Sequence, residues 1–131
     1  MSNNDESPEF PLRELIGFEI ERGEGSATAT VTVDHRHLNP HGSVHGGVPF
    51  TLIDTAMGAA AMSVAGDGNW VTTVDITTRY LAACFGGRLT APATVRRSGR
   101  LVIHLDASVV GDDRPEHVAA NGVFAVIPAR G

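Results

Sequence analysis

Gly46-Gly47-Val48-Pro49-Phe50-Thr51-Leu52-Ile53-Asp54-Thr55-Ala56-Met57-Gly58-Ala59-Ala60-Ala61 is the stretch on which the fold turns. Pro49 suits the first turn of a helix, where its missing N–H would have no partner in any case. From there Leu52, Ile53, Ala56, Met57, Ala60, Ala61 and Val64 carry the helix toward Gly66-Asp67-Gly68. The apolar residues run almost all the way round, which predicts a helix buried on most sides. Such a helix needs a layer to wrap it.

The flanking sequence supplies strands. Ahead of the helix, a short helix over 8–15 precedes strand-like runs over 18–21 and 27–33, joined by a turn at Gly23, Gly25 and Ser26. The second run alternates cleanly, with Ala27, Ala29, Val31 and Val33 on one face and threonines on the other. After the helix the period of two returns over 71–80, 89–97, 101–110 and 117–127, broken by glycine-bearing turns. Two strands, one helix and four strands make an α+β layout in which an antiparallel sheet wraps one central helix. With 131 residues the expectation is a single domain over 1–131, with 1–8 as a tail.

Composition excludes several classes of activity. Net charge is −5, which argues against a nucleic-acid binder that relies on counterion release. All ten basic residues are Arg, so Schiff-base chemistry, a Walker-type phosphate loop and a Ser–Lys dyad are ruled out. Cys84 alone forms no internal disulfide and no cysteine metal cage. The polar, acidic start lacks the basic and apolar regions of a signal peptide, and the apolar stretch over 48–65 is broken by Asp54, a poor membrane span. The expectation is a cytoplasmic protein.

Three features carry chemistry. At Gly46 and Gly47 a polar loop enters the helix, where unpartnered N–H groups can hold a carbonyl oxygen as it becomes negative; the plainer reading is a turn. Asp54 sits among apolar residues, where it suits a nucleophile or general base, unless it lies on a wet stripe of the helix. Gly46 and Asp54 are eight residues apart, about 12 Å at ~1.5 Å per residue, so joint action on one substrate calls for two subunits. Third, 76–105 holds Arg79, Arg88, Arg96, Arg97 and Arg100 and no acid, a local positive field suited to phosphate. His35, His37, His41 and His45 cluster in the loop but lack metal-ligand spacing. His45, next to the glycine pair, reads as a hydrogen-bonding neighbour of a ligand, and Asn39 offers a neutral donor and acceptor.

The run Asn39-Pro40-His41-Gly42-Ser43-Val44-His45-Gly46-Gly47-Val48-Pro49-Phe50-Thr51-Leu52-Ile53-Asp54-Thr55-Ala56 resembles the signature of hotdog-fold acyl-CoA thioesterases, in the phenylacetic-acid-degradation (PaaI-type) branch. The resemblance extends through Thr72-Thr73-Val74-Asp75 and the turn at 97–100. It implies a dimer with a continuous sheet, commonly paired into tetramers, and an acyl-CoA substrate; no metal or cofactor is expected. It also implies that the Gly46 N–H polarises the thioester carbonyl and that Asp54 of the neighbouring subunit is nucleophile or base. Asn39 and His45 would orient thioester or water, and Thr73 would assist Asp54. Gly47, Val74, Arg97, Ser98, Gly99 and Arg100 would meet the substrate, the arginine turn through the nucleotide phosphates. Two other readings remain open: a hotdog enoyl-CoA hydratase, which would keep the thioester intact, and a non-catalytic acyl-CoA binder, which would be stabilised by CoA without releasing thiol.

Overall fold

The computed structural model describes residues 9–112 and 116–129; the expected tail over 1–8 and part of the turn over 111–115 lie outside them. Helix α1 (Pro11–Ile16) leads into β1 (Glu19–Gly23) and β2 (Ser26–Thr32). A loop with one 3₁₀ turn at His35–His37 then reaches α2 (Gly47–Met62). β3 (Trp70–Tyr80), β4 (Arg88–Ser98), β5 (Val102–Gly111) and β6 (Val118–Ile127) complete the order. The sheet is antiparallel throughout, in the order β1-β2-β4-β5-β6-β3. The chain thus leaves α2 for the far edge, lays down β3, and returns to place β4 beside β2.

One side of α2 is built into the sheet. Val48, Pro49, Leu52, Ile53, Ala56, Met57, Ala60 and Ala61 are its buried residues, a spacing that marks a single helical face. They meet Ala27, Ala29 and Val31 of β2, Leu89, Ala91 and Ala93 of β4, and Ile103, Leu105 and Val109 of β5 in one core. The alanines on β2 and β4 have side chains short enough to let the helix lie close to the sheet.

Two expectations need correction. The opposite face of α2, with Phe50, Asp54, Thr55, Gly58, Ala59 and Met62, is only half-buried or exposed in the single chain, because β3 and β6 reach it at its edge, through Thr73 and Phe124, without covering it. The helix also stops at Met62, short of Gly66. The Ser63 hydroxyl turns back to the Ala60 carbonyl at 2.7 Å and accepts the Gly25 N–H at 2.7 Å, which ties the helix end to the β1–β2 turn. Gly66 and Gly68 then reverse the chain at positive φ (98° and 77°), where other residues would be strained. Among the described residues, no helix is long and apolar enough to cross a membrane.

Candidate active site

The loop ahead of α2 is held by its own polar groups. Asn39 Oδ1 accepts the N–H groups of His41 (2.9 Å) and Ser43 (3.2 Å), and its Nδ2 donates to the Ser43 hydroxyl (2.9 Å). Asn39 thereby closes the turn that aims the chain at the helix, and one Nδ2 hydrogen remains for other use. His37 is buried and fully engaged. Its Nδ1 accepts the Asp34 N–H at 2.8 Å, so Nε2 carries the proton and donates to the Ile16 carbonyl at 2.7 Å. Among the described residues no three His, Cys, Asp or Glu side chains converge on a common point.

The start of α2 has a distinctive account of donors. Gly46 is the N-cap and, having no side chain, makes no cap bond of its own. The Gly47 N–H is taken by His45 Nδ1 at 2.9 Å, the Val48 N–H by the His45 carbonyl at 2.9 Å, and Pro49 has none. The Gly46 N–H alone has no acceptor among the described residues. Of the two glycines singled out from sequence, only Gly46 therefore keeps a donor for a ligand. Because His45 Nδ1 is an acceptor, its proton sits on Nε2, on an exposed ring.

Gly46 lines a half-open, mostly apolar cavity of about 310 Å³ at the N-terminal end of α2, with Val44, Pro49, Leu81, Ala82 and Val118. Tyr80, the last residue of β3, also lines it and donates its hydroxyl to the Gly46 carbonyl at 2.7 Å. Sequence reasoning passed over Tyr80. Its signal was faint: it is the chain's single tyrosine, closing a strand whose helix-facing partner lies far away in sequence.

Asp54 opens on a different space. It is half-buried on the uncovered face of α2, and its Oδ1 accepts the Thr73 hydroxyl at 2.7 Å. Oδ2 has no donor among the described residues. The surrounding cavity, about 470 Å³, is lined by Thr55, Gly58, Ala59, Val71, Thr73 and Phe124 among others. Asp54 is therefore not a core carboxylate, as its apolar neighbours in sequence suggested, but lies on the helix's accessible stripe. Directly after Thr73, β3 carries an extra residue. Thr73 pairs with Phe124 and Asp75 with Val123, which leaves Val74 bulged outward and 60% exposed.

The arginine-rich turn is only partly a positive field. Arg96 pairs with Asp106 at 2.7 Å, whereas Arg97 and Arg100 are exposed with no ion pair among the described residues. Gly99 closes the turn by donating its N–H to the Val102 carbonyl at 2.9 Å. Through the ladders Ser98–Ile103, Ile103–Phe124 and Phe124–Thr73, this turn shares a row of the sheet with Thr73, three strands away. At ~4.8 Å per strand the separation is about 14 Å.

A family model described as the thioesterase superfamily matches residues 41–117, more than half of the chain and the whole stretch from the loop through α2 to the start of β6. The chain belongs to the thioesterase superfamily. Among curated proteins it is 37% identical over 86 residues to a putative esterase of Haemophilus influenzae, covering 65% of this chain and 62% of that protein. It is 36% identical over 96 residues to the acyl-coenzyme A thioesterase PaaI of Escherichia coli, covering 72% of this chain and 66% of that one. The chain thus matches somewhat under two-thirds of the length of each of these relatives. The solved structure of the E. coli PaaI protein superposes with a TM-score of 0.84 at 31% identity, over 92% of this chain and 86% of that one. The sheet wrapped on one helix is accordingly the hotdog fold, and the superfamily member is of PaaI type, with the fold and family of thioester hydrolases.

Proposed function

We propose that this superfamily member hydrolyses acyl-coenzyme A thioesters, in a site completed by two copies of the chain. The observation that carries the reading is the division of the chemistry within one chain. Gly46, whose N–H has no acceptor among the described residues, lines one cavity, and Asp54 lines another. They stand about 12 Å apart along one helix.

The free edge of the sheet supports their meeting across a dimer. β3 pairs with β6 on one side only, and its eleven residues expose Trp70, Val74 and Tyr80. A long edge strand of this kind is a template for another strand. Pairing two copies antiparallel about the midpoint of β3 sets Tyr80 of one opposite Trp70 of the other. Within one chain Tyr80 and Thr73 are seven residues apart, about 24 Å at ~3.4 Å per residue. Across the pair, Thr73 of the second copy lies three residues from the strand position facing Tyr80, about 10 Å along the strand. Gly46, held by Tyr80, is thereby brought toward Asp54 of the second copy, held by Thr73.

In this site the substrate carbonyl accepts the Gly46 N–H, which is worth most when the oxygen becomes an oxyanion. Asp54 of the other copy attacks the carbonyl carbon or takes a proton from the water that does. Collapse of the tetrahedral species breaks the C–S bond. In the base route the proton that Asp54 took from water passes to the leaving sulfur, giving the free acid and coenzyme A thiol. In the nucleophile route water then cleaves the Asp54 acyl anhydride, releasing the acid, restoring the carboxylate and supplying the thiol proton. His45 presents its Nε2 proton beside Gly46, Asn39 keeps one amide hydrogen, and Val74 and Gly47 border the two halves. Arg97, Ser98, Gly99 and Arg100 offer the nucleotide phosphates a turn bearing two exposed guanidinium groups with no ion pair among the described residues. A homodimer is the smallest competent unit, and pairing of dimers into tetramers fits the same reading.

Mixing two disabled proteins tests it. Gly46 has φ −56°, within proline's range, and its N–H makes no bond among the described residues, so Gly46→Pro deletes the donor with little demand on the backbone. Gly46→Pro and Asp54→Asn should each be nearly inactive toward acyl-CoA. Subunit exchange between them should restore one intact site in each hybrid dimer, and with it up to half the wild-type activity. No recovery in verified hybrids would place both groups in one chain and refute the shared site.

A further inference from the structure

Each half of the divided site is tied by a hydroxyl to the same strand. Thr73 Oγ1 holds Asp54 Oδ1 at 2.7 Å and Tyr80 Oη holds the Gly46 carbonyl at 2.7 Å, both from β3. The Tyr80 ring also lies flat against the glycine: a Cβ built on Gly46 would stand 3.4–3.5 Å from its Cε2, Cζ and Oη. Gly46 otherwise has weak restraints. It carries no side chain, it makes no cap bond, and its carbonyl receives only the long helical bond from the Phe50 N–H at 3.3 Å.

We infer that Tyr80 is a positioning residue for the Gly46 N–H, acting through its hydroxyl on the Gly46 carbonyl and never touching the reacting atoms. The inference rests on the proposed use of Gly46 as carbonyl-binding donor. Its physical basis is that a donor aimed at a developing oxyanion is effective only when held before the reaction begins. A glycine at a helix start, with free φ and ψ, loses that aim more readily than any other residue. The Tyr80 bond gives the Gly46 carbonyl a second and shorter restraint, and so limits rotation of the residue that carries the donor. Because Thr73 acts likewise on Asp54, β3 becomes a common frame for both halves. A second copy paired along that strand would inherit the alignment of donor and carboxylate from the strand register.

The test is Tyr80→Phe, which keeps the ring against Gly46 and removes only the hydroxyl. Deleting an oxyanion donor outright costs about 10²–10³ in kcat, so loosening one should cost less, about tenfold. KM for acyl-CoA should stay within about twofold, since the bond acts on alignment in the transition state. Melting temperature and assembly should change little, because the ring and its packing on Gly46 are kept and a single hydrogen bond is lost. A second readout is the carbonyl stretching frequency of a bound, non-hydrolysable ketone analogue of acyl-CoA. Polarisation by Gly46 lowers it in the wild type, and Tyr80→Phe should move it back toward the free value.

Wild-type kcat and an unshifted carbonyl frequency in Tyr80→Phe would overturn the inference. So would a loss of rate that tracks an equal loss of melting temperature or of dimer, which would give the hydroxyl to the fold. Asp54→Asn separates the two levels. If Asp54→Asn is inactive while Tyr80→Phe behaves as wild type, only the positioning role fails. If Asp54→Asn stays active, the proposed chemistry fails, and the carbonyl frequency still reports on Tyr80.

Discussion

Replacing Asp54 by asparagine isolates chemistry from packing, because the structure shows which bonds the change keeps. The oxygen of the new amide would still accept the Thr73 hydroxyl, which Asp54 Oδ1 accepts at 2.7 Å. Its nitrogen would stand where Asp54 Oδ2 has no donor among the described residues, on a half-buried position that faces a cavity. One hydrogen bond is preserved and one charge is removed, so stability should change by less than about 1 kcal/mol, in either direction. A carboxylate that is costly to dehydrate when a second copy covers this face biases the change toward a gain. The rate should behave differently. An amide is neither base nor nucleophile, and general-base catalysis contributes ~10²–10⁴-fold, which corresponds to about 3–5 kcal/mol of barrier at ~1.4 kcal/mol per tenfold. Thiol release from a panel of acyl-CoAs, followed by a thiol-reactive dye, measures the rate; a thermal melt measures stability. Affinity for the ketone analogue should survive, since Gly46 and the arginine turn are untouched. A protein that hydrolyses at near wild-type rate refutes the assignment, and one that only unfolds makes Asp54 structural.

Arg97→Ala or Arg100→Ala should raise KM for acyl-CoA severalfold with kcat little changed, because phosphate contacts are equal in ground and transition states. The same variants should act normally on a pantetheine thioester that lacks the nucleotide, and equal losses on both substrates would return these residues to the fold. In β6, Gly122 faces α2, where an added Cβ would lie 2.8 Å from Met57 Sδ, 3.1 Å from Ile76 Cγ1 and 3.2 Å from the Asp75 carbonyl. The Met57 side chain can shift but the Asp75 backbone cannot, so Gly122→Ala should cost about 1–3 kcal/mol, read as a fall of several degrees in melting temperature. An unchanged melt would show that the sheet yields at this point.

Local pattern carried most of the architecture. Alternation over 27–33, 89–97, 101–110 and 117–127 was legible as strands because one face of each carries the buried residues and the period of a strand is two. β3 alternates only between half-buried and exposed residues, with a break at its bulge. The apolar run after Pro49 was legible as a helix, yet its burial on most sides was not what a single chain provides. Composition gives the apolar character of a helix all round, and it cannot say which of its faces the sheet of the same chain covers. Pattern also extended the helix past Met62, since apolar Val64 and Ala65 continue it, whereas Ser63 ends it through bonds to Ala60 and Gly25. The Ser63–Gly25 bond spans 38 residues, so no window of sequence contains it.

For the site, sequence alone determined the cast: a glycine pair opening a helix, one carboxylate on that helix, a polar loop before it and an arginine turn. Those depend on residue type and short spacing. Tertiary structure decided which of them are available. Gly47 loses its N–H to the neighbouring His45 ring, Arg96 spends its charge on Asp106 across the β4–β5 ladder, and Gly46 keeps its donor. It also brought in Tyr80 and set Thr73 on Asp54, through the pairing of β3 with β6 at the far edge of the sheet. Hydrogen bonds are satisfied by whatever folding brings within about 3 Å, and most of these partners lie too far along the chain for spacing to reveal them.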